Sequence, residues 1–142
     1  MQKKTKMTLV ERSMYFKGLL LLVCNDGVIH EKERAMMMRV GGLLDFEQRF
    51  CEKTIAKALG NNLINTELPK FSNSDVAKCF IRDGIRLALA DGHFHAKEND
   101  FLKMVAVHHG LKEVWFEQAV KTIVDQRSSA PISGLEAENL DY

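Results

Sequence analysis

The chain has 142 residues, of which 46% are apolar and 27% are charged, and it contains only two prolines. This is the size and composition of one soluble globular domain, and it excludes a disordered chain. The formal net charge is +1, which excludes a strong overall field for nucleic acid or for an anionic membrane.

The longest apolar run, GLLLLVC at residues 18–24, is too short to span a bilayer, which takes about 20 residues. Three cysteines, Cys24, Cys51 and Cys79, lie far apart without a C-x-x-C pair, which predicts free thiols in a reducing compartment. We therefore expect a cytoplasmic protein that neither inserts into a membrane nor binds nucleic acid.

Apolar residues recur at steps of three and four along nearly the whole chain, which predicts an all-helical protein. No segment alternates with period two for long enough to predict a sheet. A connector is expected at residues 61–72, where few apolar positions are periodic. The expected helices, in chain order, cover about residues 8–25, 30–43, 46–59, 73–91, 95–109 and 112–126.

Residues with known preferences for helix ends set these boundaries. Gly41 and Gly42 are predicted to end the second helix, and Gly60 to stop the third. Asp45 is predicted to cap the start of the third helix, and Ser72 the start of the fourth. The sequence thus predicts one helical domain over residues 1–126.

The segment over residues 127–142 combines serines, a proline and a glycine with an acidic end. This composition predicts a flexible tail. Three large side chains, Leu135, Leu140 and Tyr142, leave open the alternative that the tail seats against a groove of the domain.

One phrase occurs twice: Asp-Gly, any residue, a large apolar residue, His, any residue, Lys and Glu. The copies begin at Asp26 and at Asp91, which are 65 residues apart. A second echo, FEQ at 46 and at 116, departs from that spacing by five residues. We predict an internal duplication, with two helical halves packed about an approximate twofold axis.

The doubled phrase has a purely structural interpretation. The glycines can adopt the left-handed conformation that ends a helix, while the aspartates bond forward to the backbone. His30 and His95 would then be the N-caps of the next helices, and Glu33 and Glu98 would reach back to them as capping boxes.

The phrase also has a metal-binding interpretation. It fits the second half of a calcium-binding EF-hand loop, but the first half lacks oxygen ligands, which excludes a true EF-hand. An approximate twofold axis can instead bring Asp26, Glu33, Asp91 and Glu98 together around one divalent cation. Oxygen ligands favour Mg²⁺, Ca²⁺ or Mn²⁺. His30 and His95 are secondary candidate ligands, which would shift the preference toward Mn²⁺ or Zn²⁺.

Two helical halves, each with a DG-x-apolar-x-x-x-E turn after an apolar helix, resemble the TerB-like domain of tellurite-resistance proteins. The resemblance covers about residues 8 to 126. It implies an all-α bundle of about six to seven helices, no enzymatic activity, and divalent-cation binding by Asp26, Glu33, Asp91 and Glu98. The chain departs from the family by having histidines within the phrase.

These observations predict a non-enzymatic module that binds a divalent cation, a protein partner or both, with a place in the metal or tellurite stress response. One alternative is a small metal-dependent hydrolase that uses the same carboxylates with His30 or His95 as general base. A second is a protein-interaction domain without metal. A redox sensor would rest on Cys51 alone and would require an exposed thiol with a lowered pKa.

Overall fold

The computed structural model of the chain describes residues 5–24, 29–60, 68–91, 94–127 and 140–141. Within these residues the protein is an all-α bundle, which confirms the predicted fold class. None of the helices within the described residues has the length and apolar character that crossing a bilayer requires. The helices are α1 (Leu9–Val23), α2 (Glu31–Leu43), α3 (Gln48–Leu59), α4 (Ser74–Ala88), α5 (Ala96–His108) and α6 (Glu113–Arg127).

Side-chain caps begin the first helix of each half. The Thr8 hydroxyl accepts the N–H of Glu11 at 3.1 Å and begins α1. The side chain of Asn73 accepts the N–H of Asp75 at 2.7 Å and begins α4. The predicted cap at Ser72 is therefore one residue too early. Ser72 instead donates its N–H and its hydroxyl to the carboxylate of Glu11.

The turn between α2 and α3 differs from the prediction at Asp45. This residue has a φ of 67° and lies just beyond the C-terminus of α2, while α3 begins at Gln48 with Glu47 as its N-cap. The N–H of Phe46 donates to the carbonyl of Gly41 at 2.9 Å, a bond typical of a helix that ends in a left-handed residue. Asp45 thus ends one helix and does not cap the next.

The core lies mainly between α1 and α4. Helix α4 packs against α1, α5 and α6, and α1 also contacts α2 and α3. The ring of Tyr15 meets Phe80 edge-on, with centroids 5.4 Å apart, because edge-to-face contacts are favoured between aromatic rings. Other large side chains of these two helices have no exposed surface: Phe16, Leu19, Leu20, Ile81 and Ile85.

The helices form two sets of three with the same spacing. The first residues of α1, α2 and α3 precede those of α4, α5 and α6 by 65 positions each. Helices α1 and α4 have 15 residues, and α2 and α5 have 13. This common spacing supports the predicted duplication, and the twofold axis between the halves stays a prediction.

The ends of α2 and α5 show the same duplication in backbone detail. Asp45 and Gly110 are 65 positions apart, and they have φ angles of 67° and 71°. A bond from the N–H of Leu111 to the carbonyl of Ala106, also 2.9 Å long, closes α5 as its counterpart closes α2. Both helices therefore end in the same motif.

The repeated FEQ is not part of the duplication. Phe46 lies in the turn before α3, whereas Phe116 lies inside α6 and is buried. Because α3 and α6 begin at Gln48 and Glu113, they keep the spacing of the other helices. The slip of five residues in the predicted repeat is therefore wrong.

A two-residue parallel pairing joins Thr5–Lys6 to Leu140–Asp141. It brings the last described residues beside the segment that precedes α1. Residues 128–139 and Tyr142 lie outside the described residues. The flexible tail and its alternative, a tail seated in a groove, both stay predictions.

Candidate functional site: the two Asp-Gly turns

The two Asp-Gly turns follow the central helices of the core. Helix α1 leads to the first turn, and α4 leads to the second through a short 3-10 helix, Leu89–Asp91. Asp26, Gly27 and Gly92 lie outside the described residues, and for Asp91 only the backbone is described. The structure thus describes Glu33 and Glu98, whereas the predicted roles of Asp26 and Asp91 stay predictions.

Glu33 and Glu98 occupy matching positions in the first turns of α2 and α5. One carboxylate oxygen of each accepts the backbone N–H of its own N-cap residue, His30 or His95, at 3.0 Å. Both histidines have φ of −73° and ψ of 152°. The predicted capping boxes are confirmed in both halves.

These two glutamates are unusually buried for charged residues in a first helical turn. Glu33 is 3% exposed and Glu98 is 6% exposed, while His30 and His95 are exposed. The positive end of the helix dipole stabilises a carboxylate at this position. A carboxylate accepts bonds at both of its oxygens, so a capping bond and a cation ligand are compatible roles for one glutamate.

Contacts between helices bring together elements that flank the two phrases. Helix α2, which begins with the first phrase, contacts the 3-10 helix Leu89–Asp91, which leads into the second. Helix α5 also contacts α1. The residues before one Asp-Gly turn therefore lie beside the helix that follows the other.

In the part of the chain that the structure describes, no group of three His, Cys, Asp or Glu side chains is arranged to hold a metal ion. Asp26 and the side chain of Asp91 are outside that part. The four-carboxylate cation site predicted from the sequence therefore stays a prediction.

His109 has a structural role. Its Nε2 accepts the N–H of Phe71 at 3.0 Å, and its Nδ1 lies 2.7 Å from the carbonyl of Val105. Its ring stacks on that of Phe71, with centroids 5.7 Å apart. Because protein groups contact both ring nitrogens, His109 is unsuited to bind a metal ion.

Cys51 does not meet the requirements of a redox sensor. Its side chain is buried, and burial raises the pKa of the thiol, with a smaller contribution from the charge of Glu52. A thiol with a raised pKa carries little of the reactive thiolate at neutral pH. Cys51 contributes to the packing between α2 and α3 instead.

The sequence patterns did not reveal a buried polar pair in the core. The carboxylate of Asp83 is fully buried, and it accepts the hydroxyl of Tyr15 at 2.7 Å. The guanidinium of Arg86 lies 3.6 Å from its other oxygen. The position of Asp83 corresponds to Gly18 in the first half, so the repeat gave no signal for this pair.

No family model, curated protein or solved structure matches the chain. The resemblance to TerB-like domains therefore rests on the two turns and their helical context.

Proposed function

We propose that the chain is a non-enzymatic, TerB-like module that binds a divalent cation through Asp26, Glu33, Asp91 and Glu98. The observation that carries the proposal is the burial of Glu33 and Glu98 at matching positions of two halves. A capping bond alone does not require burial. Both carboxylates have further contacts within the protein, and a cation would share in compensating their charge.

The chemistry of the four side chains fits a hard cation. Carboxylates that approach one another repel, and a divalent cation relieves the repulsion. Mg²⁺, Ca²⁺ and Mn²⁺ prefer such oxygen ligands, and the exposed His30 and His95 would favour Mn²⁺ or Zn²⁺ if they joined the site. Cation binding would then couple the two halves of the bundle, since each contributes two ligands.

The resemblance also supports a protein partner and a place in the metal or tellurite stress response. No described residue favours the alternative of a hydrolase, which would require an open site with unsaturated metal coordination. The cation site is therefore the function that should be tested first.

The first measurement is thermal unfolding of the untagged protein after treatment with a chelator, monitored by circular dichroism. Mg²⁺, Ca²⁺, Mn²⁺ and Zn²⁺ are each added in a separate experiment. A cation that binds the folded state alone at 100 times its dissociation constant should add about 2.7 kcal/mol to the free energy of unfolding. If none of the four cations raises the unfolding temperature, the proposal is wrong.

Variants can separate cation binding from helix capping. Glutamine also serves in a capping box, so Glu33→Gln and Glu98→Gln keep the bond to the N-cap and remove the negative charge. We expect both variants to fold and to lose most of the stabilisation by the cation. Glu31→Gln, in the same helical turn but exposed, is the matched control and should retain it. If the cation stabilises all three variants equally, Glu33 and Glu98 act in helix capping alone.

A further inference from the structure

A polar groove of about 320 Å³ lies between α4 and α6. Helix α4 contributes two arginines to it, Arg82 and Arg86. Helix α6 contributes one aromatic ring and a row of uncharged polar side chains: Trp115, Gln118, Thr122 and Gln126. Ala119 and Ile123 add apolar surface, and none of the lining residues in the described part of the chain is acidic.

Contacts with neighbouring side chains hold the two arginines of this groove in place. Arg86 lies against the buried carboxylate of Asp83, which is itself bonded to Tyr15 in the core. The guanidinium of Arg82 lies over the ring of Trp115, 5.5 Å from its centroid, and Lys78 lies over the same ring at 5.8 Å. Such contacts restrict the side chains and prepare them to bind an anion.

A groove also lies on the corresponding face of α1, but its described lining residues include no arginine and no tryptophan. The positions of Lys78, Arg82 and Arg86 correspond to Ser13, Lys17 and Leu21 in the first half, and that of Trp115 to Phe50.

Arg82, Arg86 and the neighbouring Asp125 each have contacts within the protein. A guanidinium carries five N–H donors, so one that already contacts a protein group can still bind a carboxylate through its remaining donors.

We propose that this groove binds an extended acidic peptide segment of a partner protein, with carboxylates on alternate residues. Arg82 and Arg86 are four residues apart on α4, which separates them by about 6 Å along the helix axis. Alternate side chains of an extended peptide are about 6.6 Å apart on one face. The carboxamides of Gln118 and Gln126 can both donate to and accept from the peptide backbone.

The residues named for this groove are not those of the proposed cation site, and peptide binding to the groove does not require a bound cation. The test of peptide binding is the emission of Trp115, the one tryptophan of the chain. A short peptide with the central sequence Glu-Ala-Glu is titrated into the full chain at low salt. Peptides with Gln-Ala-Gln or with two adjacent glutamates serve as controls. We expect saturable binding of the first peptide, weaker binding of both controls, and a loss of affinity at high salt.

Arg82→Gln should lower the affinity for the Glu-Ala-Glu peptide about tenfold or more, since it removes a charge-assisted contact. Lys121→Gln removes an exposed cation of α6 that does not line the groove, and it should leave the affinity unchanged. Equal affinity of both variants, or binding of the Gln-Ala-Gln peptide as tight as that of the acidic one, would overturn the proposal.

Two further outcomes would identify a different occupant and overturn the proposal. The chain itself reads Glu-Ala-Glu at 136–138. If Glu136→Gln with Glu138→Gln changes the emission of Trp115 without added peptide, the groove holds this chain's own segment. If inorganic phosphate saturates the groove and the acidic peptide does not, the ligand is a phosphate group.

Discussion

Gly41 and Gly42 are adjacent in the last turn of α2 but have different surroundings. A Cβ at Gly41 would collide with the Sγ of Cys51 and lie 3.1 Å from the ring of Phe16, whereas a Cβ at Gly42 would meet nothing within 4 Å. The sequence predicted both glycines as a stop signal for the helix. The structure shows that Gly41 is a packing residue, required by the close approach of α3.

We therefore predict opposite effects of two alanine substitutions. Gly41→Ala should reduce the free energy of unfolding by about 1–3 kcal/mol, because the rigid contact with Cys51 forces α2 and α3 apart. Gly42→Ala should raise it by about 0.5–1 kcal/mol, because alanine is the better helix former. Urea unfolding of both variants measures the difference, and similar values for the two would contradict this packing role.

At the scale of the helix, the matched ends of α2 and α5 show how one backbone motif accepts two different residues. Gly110 takes the left-handed conformation after α5 without steric strain. Asp45 takes the same conformation after α2, where its Cβ causes strain. Aspartate tolerates this conformation better than most residues do. The second half therefore has the more favourable residue at this position.

Exchanging the two residue types should change stability in opposite directions. Asp45→Gly should raise the free energy of unfolding by up to about 1 kcal/mol, by relieving the strain of a positive φ. Gly110→Ala should lower it by about 1 kcal/mol, although no atom lies within 4 Å of the added Cβ. Thermal unfolding of the two variants is the measurement. A neutral Gly110→Ala would show that the backbone angle is not what selects glycine there.

The capping boxes of α2 and α5 are also properties of single elements. Each needs only a glutamate three residues after the N-cap, so the motif can be recognised in the sequence. Burial of the two glutamates is different, because it depends on which helices pack over them. The capping role was therefore predictable, while the burial that supports a cation site was not.

At the scale of the whole molecule, Glu11 connects the two halves. It lies in the first turn of α1, and its carboxylate accepts the N–H and the hydroxyl of Ser72, just before α4, at 3.0 and 3.1 Å. Burial raises the pKa of Glu11, but the bonds from Ser72 and from Thr8 together outweigh burial and hold the pKa below its ordinary value.

A lowered pKa in the folded state makes this connection sensitive to acid. The ionised carboxylate stabilises the fold fully above the pKa of an unfolded glutamate, about 4.3, and loses this effect as the pH falls through the lower folded pKa. Glu11→Gln should therefore be less stable than the wild type at pH 7, and the difference should shrink below about pH 4. Urea unfolding across this pH range tests the sign, and a difference that grows on acidification would refute it.

The sequence by itself determined the elements of this protein. Helical periodicity located all six helices, and the repeated Asp-Gly phrase predicted both the duplication and the capping boxes at His30 and His95. The helices and the capping boxes depend on residues within one or two helical turns of each other, so local spacing predicts them. The duplication is predicted by comparing the two phrases. The errors at Asp45 and Ser72 were of the same local kind, because aspartate and serine favour several positions near a helix end.

Only the tertiary structure decided which side chains meet across the bundle. The buried contact of Tyr15 with Asp83, the bonds from Ser72 to Glu11 and the groove beside Trp115 join residues that are far apart in the chain. The burial of Glu33 and Glu98 likewise depends on neighbouring helices. Spacing along one helix carries no information about the partner helix, because packing between helices depends on the shapes and volumes of both surfaces.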